Sequence, residues 1–501
     1  MILAKLLKCY ENFEGAMMSS RKSGSIGILL SEATLNKPKS VIPSVVFLGA
    51  ILSTIATISN MESAPSGYKF LWLMPLGYGL LFIATKMQRV FFKYPGFSTL
   101  NLILVVRYII LPAYCSISGI YYHSFASRTF DLENSLATFL MVFEMFCIML
   151  TLSILVDKLD VKHQETDTRS IGFYDTKAGV FFIVVIAGVV SFLAFPAIRE
   201  RMNVLIARDI TILNLNTLSS LGFILASNVQ RILLLIILTK QYKKKVKGHK
   251  VDQWLIYIFV LINISVFWSN SRLTVLAQGA ATVLLVNSTR LLSRKSIVII
   301  GIIVLMVIIS LTGYRLFDQG SVSGFSRNAA LYYTSQEIAN NLQAYFGGPH
   351  LISIAVRIRE SHPGVFGWDT LINEVVGSIM FVRQVFPPSD KQTTVYFNRY
   401  FGFLRGNSMI LPTLGQSYIY FGIIGAPLFS ILFLILVYMG EKGIINSKSL
   451  GEKYAFYILT IWLVFFPMQN LNIIVSSIFN VFLPLYLIVF INRKLRLIIR
   501  T

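Results

Sequence analysis

The apolar positions of the chain fall into long, almost uninterrupted runs separated by short polar connectors. Twelve runs reach about 18 residues, the length that crosses a hydrocarbon core of about 30 Å. They lie near 41–59, 68–85, 98–121, 135–156, 178–197, 218–239, 253–270, 272–289, 296–313, 414–438, 454–470 and 473–491. This predicts an all-α polytopic membrane protein of about twelve transmembrane helices. Nine spans fill 41–313 and three fill 414–491, with a polar tail at 1–40, another at 492–501, and a large loop over 314–413. In the first tail, Ile2, Leu3, Leu6, Leu7, Tyr10 and Phe13 recur at helical spacing around Lys5 and Lys8. That pattern suits a helix lying on a membrane surface or, equally, a disordered tail. The apolar run in 1–10 is too short for a signal peptide, so insertion is expected to rely on the first true span. No repeat divides the chain into matched halves of the kind many transporters carry.

Composition sharpens this picture. Only 14% of residues are charged and 55% are hydrophobic, with a mean hydropathy of +0.67, far from the composition of a soluble domain. The net charge of +22 would point to nucleic acid in a soluble chain. Here 29 of the 45 Lys and Arg fall in alternate tails and connectors, among them Arg21, Lys39, Lys240, Lys243, Lys244, Lys245, Lys247 and Lys250. The positive-inside rule then places both termini in the cytoplasm and the 314–413 loop outside, and no nucleic-acid partner is expected. Cys9, Cys115 and Cys147 are the three cysteines, none of them in the loop, so no disulfide framework is implied.

The loop carries the candidate chemistry. Its eight cations are Arg315, Arg327, Arg357, Arg359, Arg383, Lys391, Arg399 and Arg405. Seven are Arg, whose planar guanidinium engages two phosphate oxygens at once. A phosphate-bearing ligand is one reading, and solvated or headgroup-facing arginines are the plain alternative. Arg272 ends the short connector WSNSR at 268–272 and either snorkels or faces the bundle interior. Arg107 and Arg231 lie nearer mid-span, where charge is usually functional or paired; Arg231 is expected to snorkel to the cytoplasmic side, and Arg107 is close enough to that side to do the same. His350 follows a Gly-Gly-Pro turn in YFGGPH (345–350), where a helix is expected to begin, and Glu374 sits in NEVVGS. Either could act as a general base, although a lone His more often has a structural part. There is no HxxxH, no CxxC, no paired Asp motif and no Asp-x-Asp, nor a Walker loop or triad, so metal-free chemistry without a cofactor is expected.

Residues 411–426 read LPTLGQSYIYFGIIGA. This stretch resembles the Gly-polar-x-Tyr-x-x-Phe-Gly-x-x-Gly signature that opens a late span in the O-antigen and capsular polysaccharide repeat-unit polymerases of the Wzy type. The layout is similar too: about a dozen spans, one large outward loop just before the signature, a span starting at Arg272, and the Gly348–Pro349 turn. Where many relatives carry Glu, this chain has Gln416, so a carboxylate role does not carry over to that position. Close helix packing by Gly415, Gly422 and Gly425 is the local alternative.

The resemblance implies a GT-C-like bundle and a metal-independent glycosyltransferase of the bacterial cytoplasmic membrane. Such an enzyme joins oligosaccharide repeat units linked to undecaprenyl pyrophosphate on the outer face, alongside a flippase and a chain-length regulator. On this reading Arg272, Arg315, Arg327, Arg357, Arg383, Arg399 and Arg405 supply the pyrophosphate site, and His350 or Glu374 takes the acceptor proton. Tyr345, Tyr396, Tyr400, Gln416 and Tyr418 would face sugar or lipid. The rivals are a flippase for lipid-linked oligosaccharides and an O-antigen-ligase-like transferase. The loop is expected to close as a lid over the bundle against Arg272 and Tyr418.

Overall fold

A computed structural model describes residues 41–85, 87, 93–166, 179–201, 217–265, 272–304, 306, 327–383, 385, 389–402 and 409–500. Within them the chain is helical and contains no strand. Six helices are long and apolar enough to cross a membrane, over Ser66–Ala84, Pro95–Ser118, Asp131–Leu159, Thr217–Val246, Leu428–Asn446 and Leu471–Leu495. Four shorter apolar helices accompany them, at Pro43–Ser59, Gly179–Ala194, Gln253–Ile264 and Leu273–Thr289. The protein is therefore an all-α membrane protein. The expected N-terminal surface helix and the outer end of the run at 296–313 lie outside the described residues.

In chain order, α1 is Val41–Ser59, α2 Leu73–Ala84, and α3 Pro95–Val105 runs through a wide π-turn into α4, Leu111–Ser118. Next come α5 Asp131–Thr166, α6 Gly179–Ala194, α7 Pro196–Arg201, α8 Thr217–Val246, α9 Gln253–Ser265 and α10 Arg272–Thr289. The loop folds into α11 Arg327–Phe346, α12 Pro349–Ser361, α13 Trp368–Gly377 and α14 Thr393–Arg399. The chain ends with α15 Thr413–Gly425, α16 Leu428–Asn446, α17 Leu450–Val464, α18 Leu471–Ser477 and α19 Leu483–Arg500. Beside two smaller clusters, two large apolar cores form. One joins α1 to α5 with α12, α15 and α16, and the other joins α6, α8, α9 and α10 with α17 and α19. Helix α17 contributes side chains to both, Leu463 and Val464 to the first and Tyr454 to Trp462 to the second.

Two of the spans contain π-turns, Val106–Ile110 and Ile478–Phe482. Each has a proline four residues beyond a key polar residue, Pro112 after Tyr108 and Pro484 after Asn480. Proline cannot donate to the carbonyl four residues back and clashes with it, so the backbone widens there. The widening at Arg107 serves a buried ion pair. Arg107 Nη2 meets Glu144 Oε2 at 2.8 Å with both side chains fully buried, and Arg107 Nη1 also donates to the Pro467 carbonyl. Tyr108 Oη donates to Glu144 Oε2 at 3.1 Å and Ser430 Oγ to Glu144 Oε1. Arg107 is therefore paired inside the bundle, with a carboxylate on the facing α5. Arg231 is likewise only 2% exposed, donating to Gln278 Oε1 at 3.3 Å and Asn228 Oδ1 at 3.1 Å. It joins a polar cluster in which Asn263, Gln278 and Thr282 surround the Tyr454 hydroxyl. In a bundle interior without water, such side-chain partners take the place of solvent.

The expected continuous span at 414–438 is broken. Gly422 (φ 73°, ψ −164°) interrupts the helix inside α15, and the long apolar helix begins only at Leu428. The chain then folds back, since Ser417 Oγ donates to the Gly425 carbonyl at 2.8 Å, a separation of eight residues that a straight helix would place about 12 Å apart. The hydrophobic pattern misses this break because apolar residues continue on both sides of it.

Candidate functional site

The loop packs onto the spans rather than projecting from them. Helix α12 lies against α5 and α15, α11 against α4, and α13 against α18. The turn before α12 depends on its two glycines. Gly347 has φ +59°, and a Cβ there would stand 2.6 Å from the Pro467 carbonyl oxygen and 2.8 Å from Arg107 Nη1. At Gly348 it would lie 1.9 Å from Gln343 Oε1. Pro349 then occupies the first helical turn, where its missing N–H and fixed φ favour a helix start. The expected helix after the turn is thus present.

This packing buries His350 completely. Its Nδ1 accepts from the His123 backbone N–H at 2.9 Å, and its ring stands edge-on to Tyr122 at 5.1 Å. A backbone N–H can only donate, so Nδ1 is the acceptor and the neutral ring carries its proton on Nε2. Nε2 has no hydrogen-bond partner of good geometry. Burial pushes the imidazole down to about 3, with the nearby His123 adding to the effect, and burial pushes His123 itself to about 4. Below His350, Ser353 Oγ donates to the His350 carbonyl and lies 2.9 Å from Thr129 Oγ1, which reaches Asn134 at 2.6 Å. In this arrangement His350 is a neutral donor at Nε2, and its basic nitrogen is occupied.

Glu374 forms the second centre and is also fully buried. Its Oε1 accepts from the Thr393 backbone N–H and from Thr393 Oγ1 at 2.7 Å, and its Oε2 accepts from Gln416 Nε2 at 2.6 Å. Gln416 faces Asn472 Oδ1 at 3.3 Å, while its own Oε1 accepts from the Leu471 N–H at 2.7 Å. The Tyr420 hydroxyl is buried beside the carboxyl without a hydrogen bond of good geometry. Burial raises the Glu374 pKa, against the opposing pull of the Thr393, Tyr420 and Gln416 donors. One carboxyl therefore ties together two loop helices, α13 and α14, the signature helix α15 and the late span at α18.

A cation that the sequence reading left out of the site completes the signature. Arg359 Nη1 donates to the Tyr418 carbonyl at 2.9 Å and to the Ile419 carbonyl, with its guanidinium 5.6 Å from the Tyr418 ring. These are carbonyls of the turn just before Gly422, so Arg359 caps the broken end of α15. The loop meets Tyr418 through Arg359; the expected partner Arg272 has its side chain outside the described residues. The sequence carried no signal for this: Gly422 is visible as a motif glycine, but only the structure shows that it ends the helix and leaves carbonyls that need a donor.

Comparison with models of known protein families, with curated proteins and with solved structures gives no match. The site therefore rests on its own geometry.

The other anticipated residues divide into three groups. Arg315 and Arg405 lie outside the described residues, as do the side chains of Arg272 and Arg327. Arg357 is engaged internally, donating to the Arg128 carbonyl at 2.7 Å, approaching Glu133 at 3.8 Å and stacking 4.7 Å from the Phe130 ring. Arg399 is exposed, 4.6 Å from the Tyr396 ring, and Arg383 is exposed. Tyr396 meets His362 at 4.8 Å and Phe366 at 5.2 Å, and Tyr400 lies under Arg357. Tyr345 packs on the second core, away from this cluster.

Proposed function

We propose that the chain is a polysaccharide polymerase of the bacterial cytoplasmic membrane, with about twelve spans and both termini in the cytoplasm. It would join undecaprenyl-pyrophosphate-linked oligosaccharide units on the outer face. The observation that carries this reading is that the signature helix is locked to the loop twice, by Gln416 to Glu374 and by Arg359 to the carbonyls of Tyr418 and Ile419. The part of the sequence that resembles the polymerases is thus the part that holds a buried carboxyl under a lid.

In the reaction, a hydroxyl oxygen of the incoming lipid-linked unit attacks the anomeric carbon of the growing chain. A C–O bond forms, the bond to the lipid pyrophosphate breaks, and the pyrophosphate leaves with the electron pair. Arginines balance its developing charge, drawn from Arg272, Arg315, Arg327, Arg383, Arg399 and Arg405. Glu374 receives the hydroxyl proton in its ionised form. Because Glu374 is buried here, the acceptor reaches it only when α13 and α14 part from α15. His350, with its basic nitrogen occupied, serves to seat the lid.

Deletion of the gene in its host tests the reading. A polymerase predicts single lipid-linked repeat units accumulating on the outer face, restored to long polymer by the wild-type chain. Accumulation on the inner face would mean a flippase instead, and unchanged lipid-linked units would remove both.

A further inference from the structure

The lid helix that carries Glu374 has a second face. On α13, Thr370, Leu371, Glu374 and Gly377 are buried, whereas Trp368 is 71% exposed and Ile372 59%. At 100° per residue, Val375 and Val376 flank these two, and Asp369 and Asn373 mark one edge. Beyond the helix the pattern continues, with Phe381 at 41% and Val385 at 73% exposure and the exposed Arg383 between them.

The depth of this face follows from what lies beneath and beside it. Met380 packs against a small cluster of Ile198 in α7 and Phe223 and Ala226 in α8, the cluster that Phe192, Phe195 and Ala197 also cover where α6 ends and α7 begins. The Met380 N–H donates to Asn480 Oδ1 at 3.0 Å, and Asn480 Nδ2 donates to the Ser378 carbonyl at 3.1 Å. The segment therefore rests on the ends of apolar helices. At its other end the Trp368 ring lies 5.8 Å from Phe421. Phe421 adjoins Ile423 and Ile424, 46% and 90% exposed, just before the long apolar helix α16. The exposed apolar side chains of the lid thus continue the lipid-facing surface of the spans.

We propose that residues 368–383, with Val385, form an interfacial element immersed in the bilayer boundary. Trp368, Ile372, Phe381 and Val385 lie among lipid acyl chains, and Arg383 lies at headgroup level. An apolar face beside a flanking cation and an exposed Trp is the composition that seats a helix in that layer. The buried face of the same helix holds Glu374, so the carboxyl is fixed close to headgroup depth, the level at which a lipid-anchored molecule presents its head. This placement does not depend on the reaction proposed above.

Nitroxide labels test it. Ile372→Cys, Val385→Cys and Lys391→Cys are made in a chain carrying Cys9→Ser, Cys115→Ser and Cys147→Ser, labelled, and reconstituted in vesicles of phosphatidylethanolamine and phosphatidylglycerol. Each variant is used only if it elutes as the parent does. Collision with oxygen, which concentrates in lipid, is compared with collision with a water-soluble nickel chelate. The expected result is oxygen exceeding nickel at 372 and 385 and the reverse order at 391. Nickel exceeding oxygen at 372 and 385 would place the face in water and overturn the proposal. Labels shielded from both reagents would show the face covered by protein, which overturns it equally.

Discussion

His350 and Glu374 are both titratable, fully buried and carried by loop helices, yet their surroundings differ in kind. His350 is held by a backbone N–H from the connector after α4, which fixes its tautomer and occupies its lone pair. Glu374 is held mainly by side chains, Thr393 Oγ1 and Gln416 Nε2, alongside one backbone N–H. Burial shifts the two in opposite senses, the imidazole down and the carboxyl up. A group pinned by main chain is suited to positioning, and a carboxyl bonded mainly by side chains can exchange those donors for a substrate hydroxyl.

The largest expected effect comes from exchanging these roles. Glu374→Gln should lower polymer yield on the order of 10²-fold, the usual contribution of a general base, measured as polymer laddering at equal membrane expression. His350→Gln should retain most activity and lower the melting temperature in detergent. A normal ladder from Glu374→Gln together with loss from a well-folded His350→Gln would invert the comparison.

A smaller effect is expected at the broken helix. Arg359→Gln removes the charged cap from the carbonyls before Gly422 and should cost about 1–3 kcal/mol, read as a drop in melting temperature with Arg359→Lys recovering part of it. An unchanged melting temperature for Arg359→Gln would separate the break in α15 from its cap.

The smallest effect is on pH dependence. In an unfolded chain both histidines titrate near 6.5, but His123 and His350 titrate only at about 4 and about 3 when folded. Between those limits the unfolded chain binds more protons, so stability falls as pH drops below about 6.5. Glu374 has the opposite sign. Its folded pKa is raised, so the folded state keeps a proton that the unfolded chain loses near pH 4.3, and stability falls as pH rises from there toward the raised value. His350→Gln should flatten the acid side of the melting-temperature profile; an unaltered acid limb would show that the shift at His350 has no part in it.

The long apolar runs were legible because a membrane span is a local property of about 20 residues. The two buried arginines show where that reasoning stops. Counting turns to the nearest membrane face made snorkelling the expectation for Arg231 and an option for Arg107. Glu144 and Gln278, far away in sequence, supply nearer partners. Gly422 teaches the same lesson for the backbone, since a break between two apolar stretches leaves the hydropathy profile unchanged. Arg357 was grouped with possible phosphate ligands by residue type alone, and its stacking on Phe130 and bond to the Arg128 carbonyl depend on how the 119–130 connector folds.

By itself the sequence determined that this is a helical membrane protein with one long polar stretch between residues 314 and 413, because composition and run length act locally. Tertiary structure alone decided that His350 offers a proton donor, that Glu374 meets Gln416, and that Arg359 caps the signature helix. Each depends on contacts across tens to hundreds of residues, where the geometry of packing sets which lone pair is occupied and which carbonyl finds a donor.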